Sequence, residues 1–460
     1  MSATPATTRT RATQSSGVRA TVASALGTVS EWYAYGIYGT ASALYIGPLF
    51  FSNTDPATAT IAAFATFAVG YFARPLGGIV LGQFGDRRGR RAMLMLTISI
   101  MAVATVLVGL LPTYAQIGIW APVLLVLLRL IEGFGAGAEL AGALTFVNES
   151  APPKRRAFFT SFMGAASYSG ILLGTATFAI LNAALPGEQM LEWGWRVPFL
   201  LSGVIVIVPI IMRSRLSETE PFKRVASENR RSVALVELLR ERKLAILAGF
   251  LSQAVIGFSS FVVAVFALSY MTNTLQLPPQ QGLLSILIAG PIAIVAALLF
   301  GRLADRIGAV RVLILSGVLS ALFAFPFFLL MDTANPVLIV IAIAIGYSLS
   351  YGLTSGAQGV FLPSLFDTRY RLSGVAISRE LTNALVGGTA PLVASALVLA
   401  LGGAPWLVAG AMVLAGVLTV TGVLIAVPLL RARNETAALR GSSAHDDTPS
   451  EPTSTPIHNH

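Results

Sequence analysis

From about residue 22 to about residue 430 the chain alternates long apolar runs with short polar or charged breaks. Each run is about 18 residues or longer, enough for a helix to cross a hydrocarbon core ~30 Å thick. Strands of a membrane barrel would be shorter and would alternate apolar with polar positions. Hydropathy and the breaker residues predict twelve helices, at roughly 22–50, 58–82, 93–113, 119–147, 158–181, 197–216, 244–271, 281–301, 312–331, 337–362, 373–401 and 405–430. The fold class expected is therefore an all-α, multi-pass membrane protein.

Composition agrees, with 55% hydrophobic and 11% charged residues, outside the range of a soluble domain. The placement of charge adds a direction. With both termini in the cytoplasm, 27 of the 31 Lys and Arg fall in cytoplasmic segments, and the opposite loops hold Asp55, Glu188, Glu192 and Asp332. The net charge of +10 thus reads as short loops facing anionic lipid, with no nucleic-acid partner. There is no cysteine, and the three His lie in the C-terminal tail. No disulfide, metal-ligand set or Ser/His/Asp arrangement is available, so neither an enzyme nor a cofactor is expected.

The longest polar break, "RSRLSETEPFKRVASENRRSVALVELLRERK", divides the apolar material into six spans and six. The organisation read from this is an N-tail at 1–20, a first bundle at 21–216, a linker at 217–243, a second bundle at 244–431 and a C-tail at 432–460, both tails disordered. Within the linker, Ser232 can cap a short helix whose Val233, Val236 and Leu239 would lie on the bilayer surface; a solvated tether is the other reading. The break after span 2, "GQFGDRRGRRAML", returns after span 8 as "GRLADRIGAVR". Gly82, Asp86, Arg87 and Gly89 align with Gly301, Asp305, Arg306 and Gly308. Duplicated halves with this arrangement are typical of transporters whose substrate site lies between the repeats.

Charged residues inside spans are the sharpest chemical signal, because each costs roughly 2.5–3.5 kcal/mol near a helix centre. They are Glu31, Arg74, Arg129, Glu132, Glu139, Arg379 and Glu380. At 100° per residue, Glu132 and Glu139 fall within about 80° of Arg129, so this face of span 4 should point inward. Arg129 lies about 15 Å from the outer end of that span, near the midplane. Tyr35, Tyr38, Ser42 and Tyr45 share a face with Glu31, and Tyr35 and Tyr38 are expected in a cavity. Arg74, nearer the inner end of span 2, reads as a structural residue that snorkels or braces the loop. Arg379 and Glu380 are about 100° apart, so one should face a cavity and the other a neighbouring helix. The second half offers neutral donors and acceptors instead: Gln253, Ser259 and Ser260 in span 7, and Tyr347, Ser348, Tyr351, Thr354, Ser355 and Gln358 in span 10. The run "GFGAGAELAGA" reads as close helix packing and not as a phosphate loop, since no strand precedes it and no Lys follows.

The sequence resembles the major facilitator superfamily, through "GQFGDRRGRR" and "RLIEGFGAGAE". More narrowly, "EWYAYGIYG", "ARPLGG", "GWRVPFLLSG" and "SETEPF" are similar to signatures of its metabolite:proton symporter branch. The resemblance implies two six-helix pseudo-symmetric bundles, alternating access, and uptake of an organic acid or zwitterion with protons across the cell membrane by a monomer. It also makes spans 1 and 4 face the central cavity, so that Glu31 would pair with Arg129. Two positions depart from the branch: Ala34 stands where an Asp is usual, and Glu132 where a Gln is usual. The first removes a carboxylate often implicated in coupling, and the second adds one on another helix. On this reading Glu31, Glu132 and Glu139 are the proton-coupling candidates. Arg129, Tyr35, Tyr38, Gln253, Tyr347, Tyr351, Gln358, Arg379 and Glu380 are the substrate-binding candidates, and Gly82, Asp86, Arg87, Gly89, Arg90, Asp305 and Arg306 form a gating latch. The copy at 301 has fewer Arg, which predicts an asymmetric latch in which Asp86 outweighs Asp305. A drug/proton antiporter is the alternative transporter, disfavoured because "MGAASYSGILLG" lacks the Gly-Pro pattern of antiporter relatives. A non-transporting nutrient sensor is the alternative of another class, disfavoured by the short tails.

Overall fold

A computed structural model describes residues 25, 27–88, 90–137, 147–148, 151–214, 235–367 and 370–446. The described residues are helical apart from short turns. In chain order the crossing helices are α1 (27–50), α2 (Pro56–Arg88), α3 (Arg90–Leu110), α4 (Trp120–Ala136), α5 (Arg156–Ala184), α6 (Gly194–Ile211), α7 (Lys243–Thr274), α8 (Pro279–Ile307), α9 (Ala309–Met331), α10 (Pro336–Ser364), α11 (Arg371–Ala400) and α12 (Trp406–Asp446). Among the described residues nine of these, α2 and α5 to α12, are long and apolar enough to cross a membrane. The described parts of α1, α3 and α4 are shorter, more charged or, in α1, less apolar, and they stand where the remaining three spans were expected. Large apolar side chains such as Leu76, Val103, Leu127, Ile180, Leu322 and Leu424 are exposed, as lipid-facing residues are in the absence of lipid.

In the first half α4 packs against α2 and α3, and α3 against α6. The glycines explain how close α2 and α4 come: a Cβ on Gly133 would run into the carbonyl of Gly70, so only hydrogen fits at this crossing. The close-packing reading of the span 4 glycines holds for the part of that run that is described. In the second half α12 packs along α9 and α7, and α10 against α8 and α9. The halves meet where α5 lies on α8 and α10, and where α2 lies on α11.

Near the basic face, Asp305 at the end of α8 accepts hydrogen bonds from the backbone N–H of Ala157 (2.9 Å) and Phe158 (3.0 Å), capping α5 of the other half. Gly308 follows at φ 92°, a backbone conformation that suits glycine, and turns the chain from α8 into α9. In the parent motif, Gly82, Asp86 and Arg87 lie in the backbone of α2 and Arg90 opens α3, but their side chains are not described; Gly89 lies outside the described residues.

Two borders differ in detail from expectation. The linker carries a short helix, Leu235–Glu241, whose Leu239 is exposed like the lipid-facing side chains, while Leu238 is fully buried and packed with the core of the second half. Tyr370 fixes that side, its hydroxyl within 3.0 Å of a Glu237 oxygen and 2.7 Å of a Glu241 oxygen. The other difference is α12, which runs on to Asp446 past the expected border at 431, through an Ala- and Leu-containing stretch favourable to helix. Ser232 and Val233 lie outside the described residues.

Candidate functional site

A cavity of about 40 Å³ lies between the halves, lined by Trp32, Met163, Gly164, Ser167 and Ile171 from the first and by Gln253, Ser260, Phe261, Tyr347, Tyr351, Gln358, Arg379 and Asn383 from the second, among others. That volume holds a few waters and is too small for a ring-sized metabolite. Among the described residues, Arg379 Nη1, Asn383 Nδ2, Gln358 Oε1 and Ser260 Oγ make no hydrogen bond within the protein. Buried polar atoms are seldom left so. Here four of them line one space, and together they supply donors, an acceptor and a hydroxyl.

The helices are shaped for this. Each of α7, α10 and α11 carries a widened π turn, at Val262–Phe266, Ser348–Gly352 and Asn383–Gly387, and these turns contain the cavity residues Val265, Tyr351 and Asn383. Such insertions re-aim side chains and occur often at functional sites. One wall is aromatic. Tyr168 stacks on Tyr347 at 3.9 Å between ring centroids, and Tyr347 on Tyr351 at 4.9 Å, so the stack bridges the two halves. The Tyr351 hydroxyl donates to the Gly164 carbonyl at 3.0 Å.

The charged residues are arranged differently from the expectation. Glu31 does not take Arg129 as its ion-pair partner; one of its oxygens lies 3.1 Å from Nη2 of Arg74. Arg74 does not snorkel. It is completely buried, and its Nε donates to Glu380 at 2.9 Å, across the two halves. The reason is tertiary: the inner part of α2 lies against α11 and not against lipid, so a residue that looked peripheral becomes the hub of an ion triad.

Arg129 and Tyr38 do not line the cavity. The Arg129 guanidinium sits over the Tyr38 ring at 3.7 Å and donates to Glu132 at 2.6 Å, one turn along its own helix. It occupies the space left by Gly70, where a Cβ would come within 2.9 Å of Nη2. Tyr38 hydrogen-bonds Thr66 at 2.7 Å. Tyr35 lines a smaller adjoining pocket with Trp32, Tyr71 and Phe261.

Of the other candidates, Gln253, Tyr347, Tyr351, Gln358 and Arg379 line the main cavity. Glu380 faces α2 instead, so the adjacent pair divides as its helical angle requires. Thr354 turns to Ser316 at 2.8 Å, and Glu139 lies outside the described residues. Sequence reasoning missed Trp32, Ser167 and Asn383. The first was legible in the aromatic cluster of span 1, and the other two carried no signal beyond a polar residue in an apolar span.

A polar cavity between two helical halves, with charges buried beside it, is the arrangement of a secondary transporter. The sequence matches the Major Facilitator Superfamily over residues 20–391, and the chain belongs to that superfamily. It is 36% identical over 383 residues to the shikimate transporter of Escherichia coli, covering 83% of this chain and 87% of that one. It is 32% identical over 395 residues to the proline/betaine transporter of Salmonella typhimurium, covering 83% and 77%. The fold is similar to that of a D-xylose-proton symporter, with a TM-score of 0.67 at 18% identity over 87% of this chain and 96% of that one. Within the superfamily the chain falls in the metabolite:proton symporter branch, and it is not an enzyme.

Proposed function

We propose that this protein imports a small carboxylate across the cytoplasmic membrane together with protons, as a monomer with both termini in the cytoplasm. Arg379 receives the substrate carboxylate. The observation that carries this is its Nη1, buried on the cavity wall with no hydrogen bond to a described residue, next to the equally unengaged Asn383 Nδ2. A carboxylate satisfies both donors. The faces of Trp32, Tyr347 and Phe261 suit the apolar body of the substrate or a quaternary ammonium. The names of the relatives, a shikimate transporter and proline/betaine transporters, fit a carboxylate and a zwitterion carrying one.

Transport requires the cavity to enlarge toward one face and then the other. The Asp305 cap on α5 joins the halves near the basic face, and the contacts of Phe261 with Phe67 and Tyr71 join them on the other side of the cavity. Rocking exchanges one set of contacts for the other.

Binding to purified protein tests the reading. Shikimate, benzoate and glycine betaine are titrated by thermal shift against the native chain and Arg379→Gln. A charge-assisted hydrogen bond is worth about 1.5–3 kcal/mol, so the variant is expected to bind roughly 10- to 100-fold more weakly. Unchanged affinity in a folded variant would remove Arg379 from the site.

A further inference from the structure

We infer that Glu380 is the residue that carries the coupled proton, and that it does so back to back with the substrate site on one helix. The inference rests on the proposed carboxylate import and names the coupling acid for it. Glu31, Glu132 and Glu139 are the acids that sequence position favours. Geometry favours another. Glu132 bonds Arg129 within α4 and Glu31 bonds Arg74 within the first half, so neither of these ion pairs is itself made across the two halves. Among the buried ion pairs of the described residues, Arg74 to Glu380 is the one that spans the two halves. It joins α2 to α11, helices that must part or slide as the halves rock.

The groups facing Glu380 define what a proton would change. Arg74 of α2 and Arg379 of α11 interact with Glu380 directly, while Glu31, Tyr35 and Tyr71 act on Arg74, and Tyr351 of α10 acts on Arg379. With the site empty, Arg74 and Arg379 balance Glu31 and Glu380. A proton taken by Glu380 from the outer water releases Arg74 from the cross-half bond while Glu31 continues to hold it. The cluster is then one positive charge in excess, next to Arg379. A substrate carboxylate on Arg379 restores neutrality, so proton and anion each favour the binding of the other. Once the cavity opens inward, the carboxylate leaves, Glu380 gives its proton to the inner water, and the bond to Arg74 forms again for the return.

The test uses the full chain in proteoliposomes with radiolabelled shikimate and glycine betaine. For Glu380→Gln, accumulation driven by a pH gradient is expected to fall to simple equilibration. Counterflow at equal pH should stay within about threefold of the native rate and lose its pH dependence. Glu380→Asp, which keeps a titratable carboxylate at this position, should accumulate substrate where Glu380→Gln does not. The inference is overturned if folded Glu380→Gln accumulates like the native protein, or if it loses counterflow in step with accumulation. Failure of the native protein to take up or exchange either compound would instead overturn the import reading on which the inference rests.

Discussion

Arg74 shows how far a single residue can depart from what its position in a span suggests. It is wholly buried, forked between Glu31 at 3.1 Å and Glu380 at 2.9 Å, with the rings of Tyr35 and Tyr71 alongside at 5.1 and 5.6 Å. Removing one member of a buried ion pair leaves the other charge uncompensated, at a cost of about 3–5 kcal/mol. Arg74→Met is therefore expected to unfold at markedly lower temperature in detergent than the native protein. Arg74→Lys should lie between, because an ammonium is a point charge and cannot reproduce the planar fork. Equal melting temperatures for all three would mean that the triad is not a stability element. The charges themselves were legible in the sequence, since an ionised residue in an apolar span needs a partner. Which partner was not legible, because helical angle fixes the face of each residue but not the helix that comes to lie on it.

At the level of elements, the α8 to α5 contact gives the repeated loop a physical role. A carboxylate at a helix N-terminus meets free N–H groups and the positive end of the helix dipole, an arrangement worth up to ~2 kcal/mol when partly buried. Asp305 makes this contact with the other half, so it stabilises closure of the basic face. Asp305→Asn should shift the equilibrium toward opening on that side by up to ~30-fold. The chain has no cysteine, so a single Met163→Cys on the cavity wall can report the change by its labelling rate. The uneven Arg content of the two loops predicts a larger shift for Asp86→Asn, and equal effects would refute that asymmetry. Loop repetition and the paired spacing of Gly and Asp-Arg were readable from the residues alone. The π turns of α7, α10 and α11 were not, since no residue type marks where a helix gains one extra residue per turn.

For the whole molecule, the balance of buried charge sets the response to membrane voltage. If one proton enters with one monocarboxylate, the loaded carrier moves no net charge, whereas each uncompensated positive charge gains ~2.3 kcal/mol per 100 mV. Shikimate accumulation is thus expected to follow a pH gradient and to ignore a potassium-diffusion potential. Glycine betaine, neutral overall, should respond to both, and a potential that drives shikimate would contradict the one-to-one balance. The sequence by itself determined the class: apolar runs of membrane-crossing length, and the residues able to carry charge or hydrogen bonds in lipid. Those features are local, and the bilayer enforces them one helix at a time. The tertiary structure decided the placement of these side chains: Arg129 shut in under Tyr38 by the Gly70 to Gly133 crossing, Arg379 turned to the cavity, and Glu380 turned to Arg74. Those depend on which helix faces which at a given depth, and that is settled only when the two halves close around a shared interface.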